Sequence, residues 1–127
     1  MYYVAVGAAK MRHWWHYPEF FWRASAALKQ AKTARGCVVA KTVPALGHYF
    51  SITVWESPAH MKAYVTSGAH RGALKMGPKL TESSVFHGFW SETIPSVSVA
   101  LRAWTQAARH IEPSAMQNPV AKPVDHT

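Results

Sequence analysis

Alternating and clustered hydrophobic positions divide the chain into strand-like segments. Residues 2–11, YYVAVGAAKM, mix β-branched, aromatic and small residues and predict a first strand, in which Gly7 indicates close backbone approach or a bulge. Further strands are predicted over 37–43, 48–55 and 84–92. The third strand alternates clearly, with one set of side chains at positions 50, 52 and 54 and the other set at positions 49, 51, 53 and 55.

Helical spacing fills the intervals between these strands. Pro18 suits the first helical position, and apolar residues then recur at spacings of three and four, so a helix is predicted from Pro18 to about Arg35. Gly36 is expected to end it in the left-handed conformation. Ser57 and Pro58 begin a second helix, which Ser67-Gly68 interrupts; its second piece, 69–76, is expected to stop at Gly77-Pro78.

The order βαββαβ is the split βαβ arrangement, so the predicted fold is α+β, ferredoxin-like, with a four-stranded antiparallel sheet and both helices on one face. A carboxy-terminal helix is predicted over 96–110, within a single domain of residues 1–110, and a flexible tail over 111–127. Such a sheet leaves its second face uncovered. If that face carries Tyr49 and Trp55, it needs a partner or a ligand, which predicts a homodimer.

Composition bears on the cellular compartment and on the class of partner, but not on the reaction. The single cysteine, Cys37, excludes an internal disulfide framework and favours the cytoplasm, and neither a signal peptide nor a membrane-spanning segment is predicted. Fourteen Lys and Arg against six Asp and Glu give a net charge of +8, which favours an anionic ligand, nucleic acid or a membrane surface. Because the charges are scattered and no nucleic-acid motif accompanies them, a solvated basic surface is preferred and nucleic acid is an unlikely partner.

Three segments carry a family resemblance: SITVWESPAHMKAYVTSGAHRGALK at 51–75, SVFHGFW at 84–90, and KMRHWWHYPEFF before the first helix. Together they resemble the spheroidene monooxygenase-like branch of the dimeric α/β-barrel superfamily, which also contains the antibiotic biosynthesis monooxygenases. The T-V-W-E-S and S-G-A-H-R patterns are the most specific part, and the resemblance covers about residues 1–92. It implies two sheets paired face to face in a dimer, with a ligand in the lumen or in a cleft between sheet and helices. Chemistries in the superfamily include cofactor-independent quinone-forming oxygenation, haem handling and non-catalytic roles.

Two histidines are the candidate catalytic residues. His70 and Arg71 follow Gly68 at a predicted helix start, where free N–H groups could hold a carboxylate or propionate; alternatively, His70 packs against the break and Arg71 pairs with a surface acid. His87 lies mid-strand among apolar residues. A neutral imidazole there could act as a base toward a phenol or enol, or as an axial haem ligand, or it could be a hydrogen-bonded core residue.

Aromatic residues supply the candidate ligand walls. The cluster Arg12 to Tyr17 follows the first strand, where a loop can close one end of a cavity for a flat hydrophobic ligand; alternatively, these aromatics bury against the carboxy-terminal helix or a dimer partner. Trp55 and Trp90 are predicted to form lumen or core walls. No glycine-rich phosphate loop, HExxH, paired-cysteine zinc pattern or G-x-S-x-G elbow is present, and no metal site is predicted.

The resulting hypothesis is a monooxygenase-like enzyme acting on a hydrophobic or aromatic small molecule, either cofactor-free or haem-dependent. Its catalytic residues would be His87 and His70. Its ligand-binding residues would be Arg71, Arg12, His13, Trp15, His16, Tyr49, Trp55 and Trp90. The alternative is a non-catalytic dimeric module that binds a small ligand or haem, so whether the chain is an enzyme stays open.

Overall fold

The computed structural model describes residues 1–108 and 124–125. Its strands are β1 (Tyr2–Met11), β2 (Cys37–Ala45), β3 (His48–Trp55), β4 (Thr81–Ser91) and β5 (Val124–Asp125). Its helices are α1 (Tyr17–Thr33), α2 (Pro58–Val65), α3 (Gly68–Leu80) and α4 (Val97–Ala108), and a 3-10 turn (Trp14–His16) precedes α1. The predicted element order is therefore confirmed. Positions 109 and 110 of the predicted last helix, and the predicted tail apart from β5, lie outside the described residues.

The sheet has the order β2-β3-β1-β4-β5, and its first four strands are antiparallel. This is the ferredoxin-like arrangement, so the predicted fold class is confirmed. The short β5 adds a parallel pairing at His87 and Gly88 of β4. The ladder between β1 and β4 is interrupted between Lys10 and Met11, and not at Gly7. Gly7 instead allows a close approach: a Cβ there would stand 3.2 Å from Ser51 Oγ.

One face of the sheet carries a tightly packed core. Side chains of Val4 and Val6 in β1, and of Phe50 and Val54 in β3, are almost completely removed from solvent. Helix α4 lies on this face and contributes buried Ala100, Trp104 and Ala107. The Trp104 indole N–H donates to Val85 O at 3.2 Å, and its ring meets Phe50 edge-on at 4.9 Å between ring centres. The carboxy-terminal helix therefore covers the face that sequence analysis left open.

The predicted placement of Tyr49 and Trp55 on an uncovered face is wrong. Trp55 is fully buried and packs against Tyr64 of α2, while Tyr49 meets Phe20 and Phe21 of α1 edge-on at 5.2 and 5.6 Å. Strand alternation separates two sets of side chains but does not say which set faces the helices. The premise for the homodimer therefore fails, although the homodimer itself stays a prediction.

Helix α3 continues through Pro78 to Leu80, beyond the predicted stop at Gly77. The carbonyls at its end have donors from outside the helix. Arg12 Nη2 donates to Pro78 O and to Thr81 O, both at 3.2 Å, and Thr81 Oγ1 donates to Gly77 O at 2.7 Å. Because these bonds satisfy carbonyls that a helix end otherwise leaves unpaired, the last turn persists past the proline.

The loop between β2 and β3 is shorter than predicted. Strand β2 runs through Pro44 to Ala45, which is acceptable because β2 is an edge strand and needs no N–H there. Leu46 and Gly47 then form a two-residue turn with positive φ values of 53° and 73°. Such values match the twist of a tight hairpin.

Gly36 has the predicted left-handed conformation, with φ of +84°, but α1 already ends at Thr33, before an extended Ala34, so Gly36 lies in the turn that leads to β2. It also lies against the imidazole of His60, which Ser57 Oγ holds by a hydrogen bond of 2.8 Å to Nδ1. A Cβ at this position would stand 2.7 Å from His60 Cβ, too close for an ordinary contact. Position 36 therefore requires glycine for two independent reasons.

We expect Gly36→Ala to lower the free energy of unfolding by about 3 kcal/mol, and Gly47→Ala by only about 1 kcal/mol. Both sites have positive φ, but no atom lies within 4 Å of a Cβ at Gly47, so the difference isolates the contact with His60. Urea unfolding followed by circular dichroism measures both variants. Equal losses would show that the His60 contact costs nothing.

Candidate functional site

A cavity of about 370 Å³ lies between the sheet and helices α1, α2 and α3. Its floor is central strand β1, where Ala5, Gly7 and Ala9 point toward the helices. These side chains are small and do not fill the space between the helices and this part of the sheet. The volume falls in the range of roughly 300–1,000 Å³ that is usual for small-molecule sites.

The walls are mostly apolar, with a few hydroxyl groups. Helix side chains such as Phe20, Leu28 and Met61 form the apolar part. Ser51 and Thr53 of β3, with Ser84 of β4, offer hydroxyls from the sheet. Ser51 is exposed although it lies in an interior strand, which indicates that the cavity opens to solvent above it.

The charged residues that line the cavity are all basic. Arg23, Lys41 and Lys62 belong to it, whereas none of the lining residues in the described part of the chain is acidic. Arg23 Nε also donates to Glu19 Oε2 at 3.2 Å, outside the lining. The local field therefore favours an anionic group on a ligand.

His70 is the histidine of this cavity. Its Nδ1 lies 3.2 Å from Val65 O, and because a carbonyl can only accept, Nδ1 carries the proton in this bond. The neutral ring then presents an unprotonated Nε2. Burial lowers the pKa of His70 below its ordinary value, and the bond to Val65 opposes this only partly. The imidazole is therefore neutral near pH 7 and can accept a proton.

Gln30 of α1 positions His70 through the junction between α2 and α3. Its Oε1 accepts from the His70 backbone N–H at 2.9 Å, and its Nε2 donates to Ser67 O at 3.0 Å and to Tyr64 O at 3.3 Å. Gly68 has φ of +56°, and a Cβ there would stand 3.1 Å from the Gln30 amide. One amide therefore ties three helices together beside the cavity.

Tyr64 lines the cavity, but its hydroxyl is used in a structural hydrogen bond. Its hydroxyl donates to Ala27 O at 2.9 Å within the interior, and its ring centre lies 4.7 Å from that of His70. Burial, with a smaller contribution from Cys37, raises the pKa of Tyr64 far above its usual value. Burial likewise raises the pKa of the Cys37 thiol, so neither group is an effective acid, base or nucleophile near neutral pH.

The two candidate catalytic histidines lie on opposite faces of the sheet. His87 is 3% exposed, pairs with Val6 across the ladder and stacks on Phe89, on the face that α4 covers. It is not part of the cavity lining, whereas His70 is. A single site within one chain therefore cannot use both, and the predicted pairing of the two is not supported.

Of the predicted ligand-binding residues, Tyr49 lines the cavity and the other seven do not. Arg12 holds the end of α3, and Trp55 belongs to the core beside Tyr64. Arg71 is exposed, and the helix start that was to share an anion with it gives the His70 N–H to Gln30. The predicted anion site at this helix start is therefore not supported.

The remaining predicted ligand residues lie away from the cavity. His13 and Trp15 stack on each other at 4.2 Å between ring centres, and both are exposed; His16 is half-buried beside them. Trp90 is 42% exposed and meets Tyr3 edge-on, at the end of the sheet opposite this cluster. The loop after β1 therefore does not close the cavity with its aromatic rings.

The hydroxyl groups of the cavity, the small side chains of its floor and the role of Gln30 were not predicted from the sequence. A signal for the first two existed, because Ala5, Gly7 and Ala9 alternate along β1 and pair with Thr53, Ser51 and Tyr49. No comparable pattern marks Gln30. Among the described residues no group of three or more His, Cys, Asp or Glu could hold a metal ion, and no described helix is long and apolar enough to cross a membrane.

No protein-family model matches the chain, and no curated protein sequence matches it. Solved structures do, and 63 chains share the fold. SnoaB, a cofactor-independent oxygenase from Streptomyces nogalater, is 14% identical, with a TM-score of 0.60 over 75% of this chain and 98% of SnoaB.

Two further structures extend the likeness. A putative antibiotic biosynthesis monooxygenase from Chloroflexus aurantiacus is 17% identical, with a TM-score of 0.57 over 76% of this chain and 94% of that protein. A conserved protein from Methanosarcina mazei has a TM-score of 0.66 at 8% identity, over 72% of this chain and 94% of that protein. These structures confirm the predicted ferredoxin-like fold, while membership of the superfamily and of its spheroidene monooxygenase-like branch stays a prediction. The chain has the ferredoxin-like fold of the antibiotic biosynthesis monooxygenase-like proteins.

Proposed function

We propose that this protein is a monooxygenase-like enzyme that oxidises a flat, hydrophobic phenol or quinol with molecular oxygen in the cavity between sheet and helices. The observation that carries the proposal is an apolar cavity of about 370 Å³ that contains one neutral imidazole and a one-sided positive lining. Apolar walls with a few convergent polar groups suit an aromatic ligand.

His70 is the proposed general base. The bond from Nδ1 to Val65 O fixes the tautomer, and the Gln30 amide fixes the backbone of the same residue. A fixed tautomer leaves the Nε2 lone pair to accept a phenolic proton. The basic lining, Arg23 and Lys62 included, stabilises the phenolate that results.

The oxidation then needs only substrate and oxygen. The phenolate passes one electron to O₂, giving a phenoxyl radical and superoxide, and these combine to form a carbon–oxygen bond at a ring carbon. The peroxide takes the proton from His70, and cleavage of the O–O bond with loss of the C–H proton releases water and a quinone. For phenol itself, C₆H₆O and O₂ become C₆H₄O₂ and H₂O, so atoms and electrons balance.

A haem-dependent version does not fit the residues that it would require. His87, its candidate axial ligand, is buried on the opposite face of the sheet, and Arg71, its candidate propionate partner, is not part of the cavity lining. The proposal therefore contains no step through haem.

Similarity of fold supports a cofactor-free mechanism, but the proposal does not rest on it. SnoaB is an oxygenase that needs no cofactor, although at 14% identity the likeness extends to the fold alone. A homodimer and a cytoplasmic location belong to the same proposal, the latter supported by the single cysteine. The competing function is a non-catalytic module that binds the same kind of ligand.

We expect His70→Ala to lower kcat/KM by about 100- to 10,000-fold, because the base is lost, while binding of 1-naphthol changes by less than about threefold. Oxygen consumption over a panel of polycyclic phenols and quinols measures the first, and equilibrium dialysis measures the second. His48→Ala is the matched control, since His48 also bonds a backbone carbonyl through Nδ1, that of Leu46, but does not line the cavity.

Each result separates the candidate functions. Wild-type oxygen consumption by the His70→Ala variant would contradict the base assignment. A wild-type protein that binds 1-naphthol but consumes no oxygen with any panel member would instead favour the non-catalytic module. Polyenes, which carry no acidic proton, should not react by this route, so their turnover would contradict the mechanism.

The pH dependence of kcat/KM follows from the lowered pKa of His70. The base is active when neutral, so kcat/KM should stay level near pH 7 and fall only below the ordinary histidine pKa of 6.5. Rates across pH 5 to 8 with one neutral phenol measure this profile. An acid limb above pH 6.5, or the same limb in the His70→Ala variant, would assign the titration to another group.

Filling the cavity with a larger side chain should weaken ligand binding. Ala24 lies in the lining, so Ala24→Phe places a ring in the ligand space and should weaken 1-naphthol binding at least about tenfold. Ser25→Phe is the matched control, because Ser25 is the next residue of α1, is exposed and lies outside the lining. Thermal melts should show that both variants fold. Equal binding by both would place the ligand elsewhere.

A further inference from the structure

A group of large aromatic side chains stands in solvent at the start of α1. Five residues between positions 14 and 22 form what we call the aromatic patch: Trp14 is 79% exposed, Trp15 56%, Tyr17 43%, Phe21 53% and Trp22 68%. Most other exposed apolar side chains of the described residues are scattered singly, which is ordinary for a soluble domain. Five exposed aromatic side chains within nine consecutive residues indicate an interaction surface.

Two rings of the aromatic patch contact each other. Trp14 meets Trp15 edge-on at 5.9 Å between ring centres, and His13 stacks on the other ring of the pair at 4.2 Å. Pro18 stands in the first turn of α1 and fixes the direction in which the helix leaves the loop. The turn before α1 therefore holds Trp14 and Trp15 against each other, and α4 lies on the other face of the sheet and does not cover them.

From these observations we infer that the aromatic patch docks the protein onto the surface of an anionic lipid bilayer. Trp and Tyr prefer the boundary between headgroups and acyl chains, where an apolar ring and a polar N–H or O–H are both satisfied. A net charge of +8 supplies the second attraction that reversible membrane docking requires.

Charge near the aromatic patch is compatible with this partner. Between positions 12 and 23, Arg23 and Glu19 form an ion pair and Arg12 adds a further positive charge. A second copy of this chain would bring the same positive charges together. A bilayer containing anionic lipid complements them instead.

The aromatic patch also adjoins the proposed ligand site. Phe21 packs against Tyr49, and Phe20 and Arg23 of the same helical turns line the cavity. Docking would therefore bring the cavity close to the lipid phase, where a hydrophobic ligand accumulates. This last step rests on the proposed function, whereas docking itself does not.

Vesicle flotation with the full chain tests the inference. We expect the wild-type protein to float with phosphatidylcholine vesicles that contain about one-third phosphatidylglycerol, and to bind pure phosphatidylcholine vesicles much more weakly. Trp14→Ser and Trp22→Ser should each lower the partition coefficient about tenfold, because each removes a ring from the interface. No substrate or oxygen is present, so failure here leaves the proposed enzyme activity untouched.

Trp90→Ser is the matched control. It removes one partly exposed Trp by the same substitution, but Trp90 pairs with Tyr3 at the other end of β1, roughly 30 Å along the strand from the aromatic patch. Its partition coefficient should equal that of the wild type. Thermal melts should show that the Trp14 and Trp22 variants keep their fold, since both side chains are exposed.

Three results would overturn the inference. No flotation with either vesicle would exclude a lipid partner, and flotation that the Trp14 and Trp22 variants retain in full would reflect net charge alone. A wild-type protein that does not float, but elutes as a dimer that Trp22→Ser dissociates, would make the aromatic patch a contact between copies. Binding of single-stranded oligonucleotide that the same variants lose, without flotation, would assign the rings to base stacking.

Discussion

In the middle of central strand β1, valines lie on one face and alanine and glycine on the other, and both layers of the molecule depend on this difference. Val4 and Val6 belong to the packed core under α4. Ala5, Gly7 and Ala9 on the opposite face leave a space that helices α1 to α3 span without filling. Since β1 pairs with β3 on one side and β4 on the other, its floor lies in the middle of the sheet. The cavity thus follows from side-chain volume along a single strand.

The sequence predicted the elements better than it predicted their surroundings. Strands β1 and β3 have the predicted bounds, because β-branched and alternating residues act locally. Gly36 has the predicted left-handed conformation for the same local reason. Helix α3 passes Pro78 because Arg12, far away in sequence, donates to its last carbonyls. Such a long-range bond leaves no trace in local spacing.

The site was predicted only in part, because local sequence patterns do not show which elements pack together. His70 lies in a motif of recognisable pattern, and Tyr49 was placed on the correct set of β3 side chains, although on the wrong side of the sheet. His87 and His70 look equivalent in sequence, and only the strand register puts them on opposite faces. Gln30 acts through three helices at once, so its role could be found only after those helices were in place.

The bond from the Trp104 indole to Val85 O has a consequence for how the folded chain depends on its concentration. It fastens α4 to β4 over the apolar face, so the chain buries that face with its own residues. A protein that needs a second copy to cover such a surface loses stability on dilution, because folding and association are then one equilibrium. Here the chain covers the face by itself, so its folded state does not require a second copy. Protein concentration would then affect stability only through association of chains that are already folded.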